Sequence, residues 1–399
     1  MEYRNIVSVL CYLFGIDHIE TAEDLVSDTF LSATELWSIQ GVPDNPRAWL
    51  YAVAKNKTKN YLKRNSLFEK KLAAEIKYSA DKTEEIELDL SVKNITDSQL
   101  AMIFTVCNPC NATESQIALA LNLLCGFGSQ EIADAFLTNK EVIYKRINRA
   151  KEKLKEAKIP IQQPTLTEIN DRLDTVLKTL YLLFSEGYYS TSQNTMLRKD
   201  LCNEAMRLNF LLIENEATNK PGVNALFALM CFHASRLDAR TNEHGDAILY
   251  EDQDQTLWNK DLIETGAVHL NRAATGNKVT RYHLEAGIAY WHTTKEDTME
   301  KWKNILSFYN ELLTLEYSPI AALNRTFALS KTQGKKIAIV EAEKLQLTEN
   351  PFYFSLLGNL YSDLDNQKAI QHFETALSLT NSASDKATLT KNIRRLKET

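Results

Sequence analysis

The side chains here with the types and spacing to do chemistry lie in one short stretch, KEVIYKRINR (140–149). It gathers Lys140, Tyr144, Lys145, Arg146, Asn148 and Arg149. None stands as a nucleophile beside a base. The chemistry open to such a set is recognition of a polyanion, with lysine and arginine on phosphates and the others within reach of base edges. The whole chain carries a formal charge of −6, so this positive charge is a local exception.

The element that must position these groups is a helix. Ile143, Ile147, Ala150 and Leu154 recur at i, i+4, i+7 and i+11, one buried stripe, and Glu141, Tyr144, Lys145, Asn148 and Arg149 fall opposite, flanked by Lys140, Arg146, Lys151 and Lys153. Thr138 with Glu141 reads as a capping box, which predicts a helix start near Asn139. Just before it, EIADAF offers Ile132, Ala133 and Phe136 as inward residues. Two short helices joined by about three residues, the second basic, form a helix-turn-helix arrangement whose second helix would enter the major groove. The same pattern also describes an amphipathic helix with a solvated basic face.

A second basic segment, NPRAWLYAVAKNKTKNYLKRN (45–65), holds Arg47, Lys55, Lys57, Lys59, Lys63 and Arg64 and no acidic residue. Asn45 and Pro46 suit an N-cap and first helical position. Leu50, Ala54 and Tyr61 share one side; Lys55, Lys59 and Lys63, with Asn56, share another. Trp49, Tyr51 and Tyr61 offer flat faces for an unpaired base, although Trp49 is equally readable as core. Upstream, TAEDLVSDTFLSATELW (21–37) buries Ala22, Val26, Phe30, Ala33 and Trp37, with Thr21 and Asp24 as a capping box. Glu23, Asp24, Asp28 and Glu35 surround Leu31 on another face. That face reads as solvated surface or as a docking site for a basic partner.

At 399 residues, with 44 % apolar and 25 % charged residues and only 12 Gly and 8 Pro, the chain fits several helical domains. Residues 1–64 read as helices, 65–98 as an acidic linker containing DKTEEIELDL, and 99–158 as a second helical block. IPIQQP marks a boundary before a helical remainder, 165–399. There Asn324 and Phe327 recur 34 positions later as Gly358 and Tyr361, each followed by an Ala-rich helix. That period resembles tetratricopeptide repeats. No apolar run is long enough to span a membrane and no signal peptide is evident, so a cytoplasmic protein with reduced thiols is expected, Cys107 and Cys110 included. No nucleophile-elbow, P-loop, HExxH or dinucleotide signature occurs. The expectation is no catalysis, no metal and no cofactor; His233, His283 and His292 read as packed or surface residues.

The order of AEDLVSDTF, NPRAWLYAVAKNKTKNYLKRN, an acidic linker and EIADAF-LTN-KEVIYKRINRAKEKL resembles the extracytoplasmic-function (group 4) sigma factors of bacterial RNA polymerase. YLLFSEGYYS, RKDLCNEAMRL, ALMCFHASRLDAR, LYEDQDQTLWNKDLI, YHLEAGIAYWH and YSPIAALNR look like the helical, tetratricopeptide-like extension (DUF6596-like) of the ECF42-type members. The opening MEYRNIVSV is shorter than the first helix usual in that family.

The resemblance implies an all-α chain: a region 2 bundle, a region 4 helix-turn-helix and a C-terminal α-solenoid. It implies core RNA polymerase and promoter DNA as partners. Glu23, Asp24, Asp28 and Leu31 would dock on the polymerase. Arg47, Trp49, Lys55, Asn56, Lys59, Lys63 and Arg64 would hold the melted −10 strand. Lys140, Tyr144, Lys145, Arg146, Asn148 and Arg149 would read the −35 duplex. The extension would act in cis through an intramolecular contact, with Glu251, Asp252 and Asp254 of DQDQ as a candidate surface or merely loop caps. The alternatives are a one-component helix-turn-helix regulator with a repeat-type sensor, and a repeat scaffold for peptides.

Overall fold

A computed structural model describes residues 2–64, 88–136, 138–188, 198–241, 248, 250–380 and 383–398, without the side chains at 63, 64, 383 and 384. Among them the regular elements are helices, eighteen of them α, with no strand. The chain divides into two compact units, Met1–Leu183 with Arg207–Thr218, and Phe184–Met206 with Asn219–Thr399.

The first unit is built around two helices that are apolar nearly all round, a pattern that only a central position can satisfy. In α1 (Glu2–Phe14) every residue from Arg4 to Cys11 is buried, and in α4 (Val92–Val106) every residue from Ser98 to Val106. They pack on each other, and α2 (Ile19–Gln40) and α3 (Pro46–Arg64) pack on α1. Truncating a fully buried side chain such as Ile6, Leu10 or Ile103 to Ala should cost about 2–5 kcal/mol. The helix expected from about residue 99 opens at Val92, because Ser91 caps it by accepting from the Asn94 N–H at 3.3 Å. Next come α5 (Thr113–Leu119), a π turn (Ala120–Leu124), α6 (Ser129–Ala135) and α7 (Lys140–Glu156).

Two caps differ from the expectation. Asn139, not Thr138, caps α7, accepting from the Val142 N–H at 3.0 Å. Thr21 lies inside α2, which already starts at Ile19 after a 3-10 turn that buries Ile16.

A polar chain threads this core. Glu2 accepts from the Tyr51 hydroxyl at 2.6 Å and from the Asn5 amide at 3.2 Å. Asn5 accepts from Gln99 at 2.9 Å, and Gln99 accepts from Arg207 at 3.1 Å. Arg207 also donates to the Leu124 carbonyl at 2.9 Å. Buried polar groups linked this way are costly to leave half-satisfied, so the chain fixes the register of the helices it joins. Arg207 belongs to α9 (Lys199–Glu214). The preceding α8 (Leu166–Tyr188) starts at a capping box in which Glu168 accepts from the Thr165 N–H at 2.8 Å. Its Arg172 donates to the Phe104 carbonyl, and its Thr179 donates to Gln116 at 2.8 Å.

The second unit centres on α10 (Pro221–Ala234), buried from Val223 to Phe232. On it pack α11 (Lys260–Ala273) and α12 (Arg281–Trp291). Beyond them α13 (Met299–Leu315), α14 (Pro319–Gln333), α15 (Lys335–Glu343), α16 (Pro351–Tyr361), α17 (Asn366–Leu379) and α18 (Ala383–Glu398) follow, each packed on the one before. Three apolar clusters succeed one another, around Ile305, Leu357 and Phe373. Phe327 packs on the first two, while Phe354 and Tyr361 pack on the last two, so neighbours share aromatic side chains. Gly358 marks a tight approach: a Cβ there would lie 2.6 Å from the Phe373 ring.

Candidate nucleic-acid interface

Helix α7 has the stripe its spacing predicts: Ile143, Ile147, Ala150 and Leu154 are all buried. Opposite, Lys140, Tyr144, Lys145 and Arg149 are exposed, with Tyr144 at 57 %, and Arg146 and Asn148 are half-buried. Among the described residues no carboxylate lies within ion-pair distance of Lys140, Lys145, Arg146 or Arg149. Among the described residues, the front of this helix therefore offers cations, an aromatic hydroxyl and an amide to solvent with no ion-paired carboxylate, Glu141 standing exposed on the same face.

The rear of the same helix does the opposite. Lys151, expected to flank the basic face, is only 5 % exposed, and its ammonium binds Glu23 of α2 at 2.6 Å. One turn on, Lys155 binds Glu20 at 2.8 Å. Burial pushes the Glu20 carboxyl up, but the Lys155 hydrogen bond, a backbone N–H and the charges of Lys155 and Lys151 together outweigh it, leaving the group below the usual carboxylate range. Glu23, expected on an open acidic face, is thereby engaged inside the unit.

On α3 the cap is Asn45, accepting from the Ala48 N–H at 3.0 Å, and Leu50, Ala54, Thr58 and Leu62 are buried. Arg47 donates to the Tyr51 hydroxyl at 3.2 Å and lies 3.5 Å from Glu2. Trp49 is half-buried, edge-on to Trp37 with ring centroids 5.4 Å apart. Asn56 is exposed; Lys55 and Lys59 are half-buried and engaged by neighbours. The side chains of Lys63 and Arg64 lie outside the described residues.

Asp24 and Asp28 are exposed beside Leu31, which is 56 % exposed. Further along, Leu36, Ile39 and Val42 are also exposed, giving an apolar margin that the acidic letters had overshadowed. Its signal was present: Ile39 falls off the buried stripe through Val26 and Ala33, and Val42 lies past the end of α2.

In the second unit Glu251, Asp252 and Asp254 are exposed. Asp254 accepts from the Thr256 N–H at 2.8 Å, and that bond holds its carboxyl below the usual range. What the sequence reading missed is the other half of that motif: Gln253 and Trp258 are buried, with Arg236 above the Trp258 ring. Burial holds His233 and His292 well below the usual histidine range, and His283 accepts from the Thr280 N–H at 3.1 Å. Burial pushes the Cys107 thiol up to about 12, so it is protonated at neutral pH. Among the described residues no helix is long and apolar enough to cross a membrane.

Residues 1–68 match the family described as sigma-70 region 2. Residues 172–274 match a family of unknown function, DUF6596. The chain is 31 % identical over 378 residues to the uncharacterized protein R00370 of Rhizobium meliloti (strain 1021), covering 93 % of this chain and 88 % of that one. No solved structure matches.

Proposed function

Because the chain belongs to the sigma-70 family and carries a C-terminal extension, we propose that it is a transcription initiation factor of the extracytoplasmic-function, ECF42-type class, regulated in cis by that extension. It binds core RNA polymerase through Asp24, Asp28 and Leu31, with Glu23 joining when released from Lys151. Helices α6 and α7 act as a helix-turn-helix on the −35 duplex, Tyr144, Lys145, Asn148 and Arg149 facing base edges and Lys140 and Arg146 facing phosphates. Helix α3 holds the melted −10 strand through Trp49, Asn56 and its basic residues; extruding a base costs a few kcal/mol, which stacking and charge contacts must offset.

The observation that carries this reading is the exposed basic front of α7, in a chain of net charge −6 whose first 68 residues match sigma-70 region 2. Cis control is supported by Arg172, Thr179 and Arg207, helix α8 and α9 residues whose hydrogen bonds reach Phe104, Gln116, Gln99 and Leu124. The test is reconstitution of the full chain with bacterial core polymerase and a promoter library. The expected result is initiation at sites sharing two spaced boxes; absence of core binding or of promoter-selective initiation overturns the proposal.

A further inference from the structure

In the second unit, the segment YEDQDQTLW turns its acidic side chains outward and sets the Tyr250 and Trp258 rings against the buried cations Arg236 and Lys301. Arg236 is 8 % exposed and lies over the Tyr250 ring at 5.3 Å and the Trp258 ring at 5.9 Å. Its Nε has no hydrogen-bond partner, and among the described residues no carboxylate pairs with it. Trp258 is 6 % exposed, and its Nε1 also lacks an acceptor. Lys301, 2 % exposed, donates to the Tyr250 hydroxyl at 3.2 Å and to the Thr294 carbonyl at 2.6 Å. Lys295 ties down the loop, donating to the Glu251 carbonyl at 2.9 Å and to the Gln253 carbonyl.

Two buried cations against one aromatic ring are expensive, because desolvating each costs more than aromatic faces return. The nearby carboxylate, Asp297, is already occupied by the Trp302 indole and by Lys331 at 3.0 Å. The excess positive charge registers on His292, whose ring lies edge-on to Tyr250 at 5.3 Å: burial, Arg236 and Lys301 together hold it at about 3. Among the described residues, no carboxylate hydrogen-bonds to Arg236 or Lys301, although Asp297 acts on Lys301 through space. Two unsatisfied donors, Arg236 Nε and Trp258 Nε1, require hydrogen-bond acceptors, and only an anion would also offset the charge.

We propose that the extension binds a small oxyanion, a carboxylate or a phosphoryl group, on Arg236, Trp258 and Lys301. The ligand sits against the Tyr250 ring beneath the YEDQDQTLW segment. This gives the extension a chemical input that the promoter reading alone does not supply.

The test is isothermal titration calorimetry and thermal unfolding of the full chain with succinate, inorganic phosphate and, as a control, chloride. One of the two oxyanions should bind saturably and raise the unfolding midpoint; phosphate alone points to a phosphorylated ligand, succinate alone to an organic acid. Arg236→Met should weaken binding by about tenfold or more, the loss of one charge-assisted contact. It should also leave the ligand-free midpoint no lower than that of the wild type, since it removes an uncompensated buried charge. Trp258→Phe keeps the ring and deletes the donor; several-fold weaker binding is expected, and this variant carries the test if Arg236→Met does not fold. Absence of saturable binding by both oxyanions, or equal binding by the variants, overturns the proposal and leaves Arg236 a hydrated cation between two rings. The protein is titrated alone, so this outcome is separate from any result with polymerase.

Discussion

On α7 the first turns hold Tyr144, Lys145 and Arg149 open to solvent, whereas on α3 Lys55 and Lys59 are half-buried and Arg47 is tied to Glu2 and Tyr51. Within α7 the contrast repeats over a distance of about 9 Å, six residues at 1.5 Å each. Lys145 meets no carboxylate, and Lys151 is buried against Glu23. Counting positive charges along a sequence thus overstates what a helix offers to a ligand. The side on which a helix meets its neighbours decides which charges remain available, and the Glu20 and Glu23 carboxylates of α2 engage the rear of α7.

The sharpest way to break this comparison is to remove one charge from each end of α7. Lys151→Met should lower stability by about 3 kcal/mol, because it leaves Glu23 partly buried and alone. Lys145→Met should stay within about 0.5 kcal/mol. Urea unfolding of both variants checks this, and similar losses would dissolve the distinction between front and rear. Adding Glu23→Gln to Lys151→Met should recover all but about 1 kcal/mol, since the uncompensated carboxylate is then gone.

Promoter binding should reverse the ranking. Arg149→Ala, measured with the polymerase-bound factor on duplex promoter, should cost about 2 kcal/mol if its contact is a base edge. Lys55→Ala on α3 should instead lower the slope of log affinity against log salt by about 0.7, one phosphate contact to a single strand. A base-specific effect from Lys55 and a salt-only effect from Arg149 would exchange the roles of the two helices.

The smallest effect concerns pH. Glu20 is lowered below 4.5 on folding and Lys155 is raised above 10.5. A lowered carboxyl adds stability that is lost as pH falls through its folded value; a raised ammonium adds stability that is lost as pH rises through its own. Their pair is therefore fully effective near neutrality and fades at both extremes. With Glu20 half exposed, Glu20→Gln should cost only about 0.5 kcal/mol at pH 7, and that difference should shrink toward pH 4. Urea midpoints at the two pH values test the sign.

The all-α character, the buried stripe of α7 and the Asn45 cap were legible because each depends on residues within a few positions of one another. Thr138 and Asn139 are both good caps, and adjacent candidates one residue apart are not separated by local pattern. Lys151 carried a partial signal: it stands four residues after Ile147, on the edge of the buried stripe. Its partner Glu23 is 128 positions away, and no local pattern announces such a pair. For the same reason DQDQ displayed its acids and hid the pairing of Trp258 with Arg236, whose rings and guanidinium meet only once the helices have packed.

Arg172, Thr179 and Arg207 have a practical bearing on truncation. They plug the Phe104 and Leu124 carbonyls and the Gln116 and Gln99 side chains. Cutting the gene near codon 165 to strip off everything downstream would strand those acceptors, at about 1–3 kcal/mol apiece. A silent truncate made there would report a collapsed scaffold, not a lost signal. Scissors placed beyond Thr218 would spare the plugs, although Phe184–Met206 would then be severed from the rest of the second unit.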